Sequence, residues 1–150
     1  MIGSEKWANP EPATHHALAL WAARCAERVL PIFEEERPDD NRPRAAIETL
    51  RAWVQGEVPM TTCRTAAFAA HSAARDAAQA GADGAVAAAR AAGQAAAVAH
   101  MFNHSPHAAT YAAKAVRIRY DTAAHDAERA WQWDALAPDL RDLGFSKGAP

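Results

Sequence analysis

The chain has 150 residues, enough for one compact domain, and 42 of these residues are alanine. Its 16 basic and 18 acidic residues nearly cancel, which argues against a general nucleic-acid binder, because such proteins carry a basic excess. Alanine is the strongest helix former, so we expect an all-α protein, a single Ala-rich bundle of about five antiparallel helices with short loops.

Two further classes are excluded by the distribution of apolar residues. No stretch approaches the roughly 18 consecutive apolar residues of a transmembrane helix, which excludes a membrane partner. The N-terminal segment lacks the basic and apolar regions of a secretory signal. We therefore expect a cytoplasmic protein in which Cys25 and Cys63 are reduced thiols.

The helical spacing of apolar residues, together with flanking Pro, Gly, Ser and Asp residues, predicts five helices. They cover about 14–36, 43–55, 61–80, 83 to 101–104, and 105–134. Pro31 should kink or split the first helix, while Gly56 and Gly81 should end the second and third. We expect residues 1–13 to be an extended arm, residues 14–144 to form the bundle domain and residues 145–150 to be a flexible tail.

Histidines cluster near one chain reversal, after the fourth predicted helix. His100 and His104 are four residues apart, a spacing that places both on one helix face, where they could hold a metal ion. His71 and Glu48 are conceivable further ligands from other helices. The simpler interpretation is that these histidines form hydrogen bonds within the bundle, and we assign no metal and no cofactor.

The third predicted helix carries an unusual stripe of aromatic, imidazole and guanidinium groups. Its members are Arg64, Phe68, His71 and Arg75. Such a stripe could line a polar pocket that holds a carboxylate or phosphate. The alternative is a face at the rim of the bundle, with Arg75 extending into water. On the second helix, Arg44, Glu48 and Arg51 have the spacing of an intrahelical ion pair.

The two cysteines are predicted to differ in reactivity. Cys25 lies on the apolar face of the first helix, so burial should raise the pKa of its thiol. Cys63 lies in the first turn of the third helix, where the helix dipole should lower its pKa. Near the end of the last long helix, Trp131 and Trp133 cannot both point into one core face. At least one of these tryptophans should be partly exposed or cover the tail.

Three segments of the chain together resemble one protein family. They are CAERVLPIFEEERPDDNRPRAAIETLRAWVQGE (25–57), TAAFAAHSAAR (65–75) and AGQAAAVAHMFNHSPHAATYAAKAV (92–116). The family comprises small all-helical bacterial proteins, the immunity-5-like proteins of polymorphic toxin systems. The resemblance spans about residues 17–120, and its most specific part is Arg-Pro-Arg-x-Ala-Ile-Glu with the following Arg51-Ala52-Trp53.

The resemblance implies a cytoplasmic protein that binds and neutralises a cognate protein toxin. In this family a histidine often follows the Ala92-Gly93 pair, where this chain has Gln94. The residues that match the family best are Asp40, Arg42, Arg44, Glu48, Trp53, His71, Arg75, His100 and His104.

Polar groups on several helices could instead converge on an internal pocket, as in a small-molecule-binding protein or an enzyme. In that alternative His71 and His100 do acid–base chemistry near neutral pH, and Glu48 orients a partner. The other residues of this site, between helices 2, 3 and 4, would be Arg44, Trp53, Phe68, Arg75 and His104. The Ala-lined faces of helices 3 and 4 could also form a homodimer contact. The sequence leaves these alternatives open.

Overall fold

Residues 8–150 form seven α-helices and no β-strand in the computed structural model, which confirms the all-α prediction. The helices are α1 (Pro12–Glu36), α2 (Arg42–Val54), α3 (Met60–Gln79), α4 (Asp83–Ala97), α5 (Ser105–Arg119), α6 (Thr122–Ala135) and α7 (Arg141–Gly144). Residues 1–7, the first part of the predicted arm, lie outside the described residues. Within residues 8–150, no helix combines the length and apolar character needed to cross a membrane.

The helix count differs from the prediction of about five chiefly because the last predicted helix is divided. α5 ends at Arg119 and α6 begins at Thr122. Between them, the side chain of Asp121 accepts a hydrogen bond of 2.7 Å from the backbone N–H of Ala124. This N-cap starts a new helix inside the stretch 105–134 that was predicted to be one helix. The short helix α7 adds the seventh.

Other predicted helix ends agree more closely with the structure. Gly56 and Gly81 follow α2 and α3 with φ of +76° and +73°, the left-handed conformation that favours glycine at a helix C-terminus. α1 runs through Pro31 without a break, and this proline lies on the exposed side of the helix. The predicted split of α1 was therefore wrong.

α4 lies at the centre of the bundle and is built almost entirely from small residues. Nine of its fifteen residues are buried, and all nine are alanine or glycine. The helix packs against α1, α2, α3 and α5. A helix that is apolar on every side is stable only when it is surrounded. The Ala-lined faces considered for a dimer contact are therefore covered within the bundle.

Larger side chains fill the remaining core volume, mainly from α1 and α2. Leu18, Val29, Phe33, Ile47 and Leu50 are almost completely buried. The small side chains of α4 bury little apolar surface. These larger residues therefore supply much of the apolar surface that is removed from water on folding.

The C-terminal segment packs onto the bundle through aromatic contacts. Phe145, the first residue of the predicted tail, is buried, and its ring lies 5.8 Å from that of Trp21 and 5.0 Å from that of Trp133. The guanidinium carbon of Arg28 lies 3.9 Å from the centroid of the Trp131 ring. The two tryptophans thus have different roles: Trp133 covers the chain end, while Trp131 stacks with a cation.

Replacing a buried alanine of α4 should be costly, because the surrounding helices leave no space for a larger side chain. We expect Ala92→Leu to lower the free energy of unfolding by about 2 kcal/mol or more, through overpacking of a residue that has no exposed surface. Urea unfolding measures the effect. The matched control is Ala78→Leu on the exposed side of α3, which should change stability by less than about 0.5 kcal/mol.

Candidate functional site

The stripe of polar and aromatic residues on α3 lines a small cavity with the end of α4. Its volume is about 180 Å³. The residues that line it are Arg64, Ala67, Phe68, His71, Gln94, Ala97, His100 and His104. The cavity therefore brings together four of the residues predicted to form a site: Phe68, His71, His100 and His104.

His71 is placed by a close contact between α3 and α4. A Cβ atom added to Gly93 would lie 2.7 Å from both Cε1 and Nε2 of the His71 ring. This separation is too short for real atoms, so only glycine leaves room for the imidazole. A glycine inside a helix costs about 1 kcal/mol relative to alanine. The absence of a side chain at Gly93 therefore makes room for the His71 ring.

A hydrogen bond from Arg90 determines the tautomer of His71. The Arg90 Nη1 group lies 2.9 Å from Nδ1 of His71. Because a guanidinium can only donate, Nδ1 must accept, and the neutral ring carries its proton on Nε2. Burial lowers the pKa of His71, and the charges of Arg90 and Arg75 lower it further. His71 is thus held as a neutral imidazole.

A second neutral imidazole is held on the opposite side of the cavity. His104 Nδ1 donates to Oε1 of Gln94 over 2.9 Å, which leaves Nε2 as an acceptor. Burial lowers the pKa of His104, with smaller contributions from His107 and His100. Gln94 therefore orients His104 by a neutral hydrogen bond.

His100 and His104 do not share a helix face, contrary to the sequence-based expectation. α4 ends at Ala97, so His100 lies in the following turn and His104 in a 3-10 helix. Side chains from the N-terminal region stabilise this turn: His15 Nε2 donates to the Val98 carbonyl over 2.6 Å, and Asn9 Nδ2 donates to the His100 carbonyl over 3.0 Å. These bonds satisfy carbonyls that a longer α4 would have paired internally.

The rim of the cavity is exposed and positively charged. Arg64 Nη2 donates to Nδ1 of His100 over 3.2 Å, and both side chains are exposed. Phe68 lies on the same rim with 65% of its surface accessible. Within residues 8–150, no group of three or more His, Cys, Asp or Glu side chains is arranged to hold a metal ion. The structure thus provides no third ligand of these types for the His100–His104 pair.

The remaining predicted site residues lie away from the cavity. Arg75 is exposed and donates to Ser72 Oγ over 2.7 Å. Arg44 forms a bidentate ion pair with Glu34 of α1, at 2.6 and 2.8 Å. Glu48 is exposed on α2. The cavity is therefore bounded by α3, α4 and the turn that follows α4, and not by α2 as the three-helix pocket requires.

α2 is instead bound to α1 through its charged and aromatic residues. Besides Arg44, Arg51 pairs with Glu27 of α1 at 2.6 Å. The Trp53 ring packs edge-on against the rings of His15 and His16. The ion pair that the sequence suggested within α2 is thus replaced by pairs between helices, and these residues have a structural role.

The turn between α1 and α2 is fixed by the residues that match the family motif. Arg42 donates to both carboxylate oxygens of Asp40, at 2.9 and 2.7 Å, and to Asp76 of α3 at 2.7 Å. These charge-assisted bonds lower the pKa of Asp40. The contacts connect the α1–α2 turn to α3 and lie outside the cavity.

Burial determines the state of both cysteines. Burial raises the pKa of Cys25, as predicted. Cys63, expected to have a lowered pKa, is also buried; its Sγ lies 3.6 Å from the Thr49 carbonyl, and burial raises its pKa to about 11. The expectation for Cys63 was wrong because loss of hydration outweighs the helix dipole at this position.

Sequence reasoning missed Arg90, which sets the state of His71. A signal for it was present, because Arg90 is the only charged residue between positions 84 and 97 of a helix otherwise rich in alanine. A lone arginine in a buried helix needs an acceptor, and here that acceptor is an imidazole rather than a carboxylate.

The structure is thus an all-α bundle with a small cavity lined by histidines, alanines, Phe68 and Arg64 on one face. The chain belongs to the family described as Imm-5 like putative immunity protein, whose family model matches residues 8–139. No significant match was found among curated proteins or among solved structures.

The contact between His71 and Gly93 can be tested by a double-mutant cycle. We expect Gly93→Ala to destabilise the protein by about 1–3 kcal/mol, because the new Cβ collides with the imidazole. In a His71→Ala background the same substitution should be neutral, or stabilising by up to about 1 kcal/mol, since only the gain in helix propensity remains. Urea unfolding of the four proteins measures the coupling. Equal effects of Gly93→Ala in both backgrounds would contradict this contact.

The lowered pKa values of His71 and His104 predict a loss of stability at mildly acidic pH. The unfolded histidines titrate near pH 6.5, above the folded values, so the unfolded state binds more protons as pH falls through this range. The free energy of unfolding should therefore decrease from about pH 7.5 to about pH 5.5. The double variant His71→Gln/His104→Gln should show a smaller decrease. An unchanged pH dependence in this variant would refute the assignment.

Proposed function

We propose that this protein is a cytoplasmic immunity protein that neutralises a cognate bacterial toxin by binding it through the α3–α4 cavity face. This face comprises Phe68, Arg64 and the histidine cavity beside them. Membership of an immunity-protein family supports a protein partner. The observation that carries the choice of surface is the exposure of Phe68 next to a recessed cavity.

An exposed aromatic side chain is a typical anchor of protein interfaces. Phe68 exposes 65% of its surface to water, whereas Phe33, a side chain of the same size, is completely buried in the core. Aromatic residues that become buried at the centre of an interface often contribute most of the binding energy. The adjoining cavity gives such an interface a concave part, so the face can bind a projecting side chain as well as cover Phe68.

Local charge supports the same surface. The net charge of −2 is too small to steer association by itself. At the cavity, however, Arg64 is the lining residue that carries a guanidinium, and the Arg90 guanidinium contacts His71. A positive patch on a nearly neutral protein can orient an acidic partner during encounter.

A small-molecule site in the same cavity is the second candidate. It is favoured by the two imidazoles with lowered pKa values, His71 and His104, because perturbed pKa values are concentrated at functional sites. The volume of about 180 Å³ is below the roughly 300–1,000 Å³ of most ligand pockets. No carboxylate belongs to the cavity lining to orient a base, because Glu48 lies elsewhere. We therefore favour toxin binding.

Truncating Phe68 should weaken neutralisation without affecting the fold. Each candidate toxin domain encoded beside the gene is expressed with the wild-type protein or with Phe68→Ala, and growth is followed. For the toxin that the wild type neutralises, we expect Phe68→Ala to weaken binding about 30-fold in calorimetry, as for an aromatic anchor. Thermal unfolding should change little, because the side chain is exposed.

A second exposed aromatic residue provides the matched control. Tyr120 has 62% of its surface accessible and lies at the end of α5, outside the cavity lining. Tyr120→Ala should protect cells as well as the wild type. Full protection by Phe68→Ala, or loss of protection only with Tyr120→Ala, would refute the proposed surface.

A further inference from the structure

We infer that the histidine cavity is a socket for one acidic side chain of the toxin, whose carboxylate is bound by Arg64 and by the imidazoles of His71 and His100. This inference rests on the proposed function and specifies the chemistry of the partner. The bound group is the carboxylate of an Asp or Glu side chain, because the proposed partner is a protein and the cavity has room for one side chain.

The arginines at the cavity differ from most others that contact another helix in this protein. Arg28, Arg42, Arg44 and Arg51 each form an ion pair of 2.8 Å or less with an aspartate or glutamate. Arg64 and Arg90 form no ion pair with any described residue, and each donates instead to a histidine. A guanidinium that is bound only to a neutral imidazole retains its full charge for an external anion.

The cavity also contains hydrogen-bond donors and no competing acid. Since Nδ1 of His71 and of His100 accepts from an arginine, each neutral ring carries its proton on Nε2. His71 lines the cavity, and its Nε2 forms no hydrogen bond with another described residue. None of the residues that line the cavity has a carboxylate. The donors are therefore complementary to an acceptor from outside.

The size and rim of the cavity limit what can enter it. A cavity of about 150 Å³ is known to hold a benzene molecule, so the roughly 180 Å³ here fits one side chain rather than a larger ligand. Phe68 at the rim offers an apolar surface for the methylene groups that precede a carboxylate. Ala67 and Ala97 add further apolar surface for these methylene groups inside the cavity.

Binding of a carboxylate should be linked to protonation of the imidazoles. His71 faces the charges of Arg90, Arg75 and His104, and His104 faces His107 and His100, all of which disfavour the protonated rings. A bound carboxylate offsets this repulsion, so the complex takes up protons. Affinity for a carboxylate should therefore increase as pH falls from about 7.5 to about 6.

The direct test uses benzoate as the probe and benzamide as its neutral isostere. Binding is followed through the imidazole NMR signals of His71 and His104 in the full-length protein. We expect benzoate to bind with a dissociation constant of about 10 mM or tighter, the value that modest ligand efficiency gives for its nine heavy atoms. Benzamide should bind at least about tenfold more weakly, because it lacks the charge that Arg64 recognises.

Two arginine variants locate the bound carboxylate. Arg64→Gln removes the cation at the rim and should weaken benzoate binding about tenfold. Arg117→Gln makes the same charge change on an exposed residue of α5 that does not line the cavity, and should weaken it less than about twofold. Both residues are exposed, so neither variant should impair folding.

The same probe links the socket to the toxin. Benzoate, but not benzamide, should weaken calorimetric binding of the toxin that the protein neutralises. Absence of benzoate binding, equal binding of benzamide, or equal effects of the two arginine variants would overturn the socket, while the proposed function would still be judged by the Phe68 test. Benzoate binding that leaves toxin binding unchanged would overturn the assignment of the carboxylate to the toxin.

Discussion

The structure depends on a central helix whose buried residues are all alanine or glycine. α4 contacts four other helices, and this is possible because its side chains are too small to keep them apart. At Gly93 even a methyl group is absent, and the imidazole of His71 occupies the space. The packing of the core and the position of the candidate site thus have the same cause. A larger side chain on α4 would disturb both.

Two sets of charged residues in this protein differ in what they bind. Those that contact neighbouring helices, such as Arg28 with Glu128 and Arg42 with Asp76, are satisfied within the chain and hold helices together. Those at the cavity, Arg64 and Arg90, donate to imidazoles and keep a net positive charge. An arginine that is already paired with a carboxylate of the same chain has little charge left for another molecule. Arg64 and Arg90 are therefore the better indicators of where another molecule binds.

Local sequence signals predicted much of the fold. Gly56 and Gly81 marked helix ends because a left-handed residue terminates a helix whatever surrounds it. The break at Asp121 was missed because an aspartate can either cap a new helix or lie within a continuing one, and only the observed cap distinguishes the two cases. The early end of α4 was missed for a different reason: His15 and Asn9, more than 80 residues away in sequence, bind the carbonyls of the turn.

The candidate site was only partly visible in the sequence. Helical spacing was enough to place Phe68 and His71 on one stripe of α3, and both line the cavity. Spacing could not show that Arg44 turns toward Glu34 on α1, since the choice between solvent, pocket and neighbouring helix is made by tertiary packing. The roles of Arg90 and Gln94 depend on contacts with other helices and could not be derived from either helix alone.

Site-specific photo-crosslinking can show whether the α3–α4 cavity face contacts the toxin, as we propose. A photoreactive phenylalanine analogue is placed at position 68 in one protein and at position 120 in another. Each is irradiated with the toxin that the wild-type protein neutralises. We expect a crosslink to the toxin from position 68 and none from position 120. A crosslink from position 120 alone, or none from position 68 in a complex that still forms, would contradict the proposal.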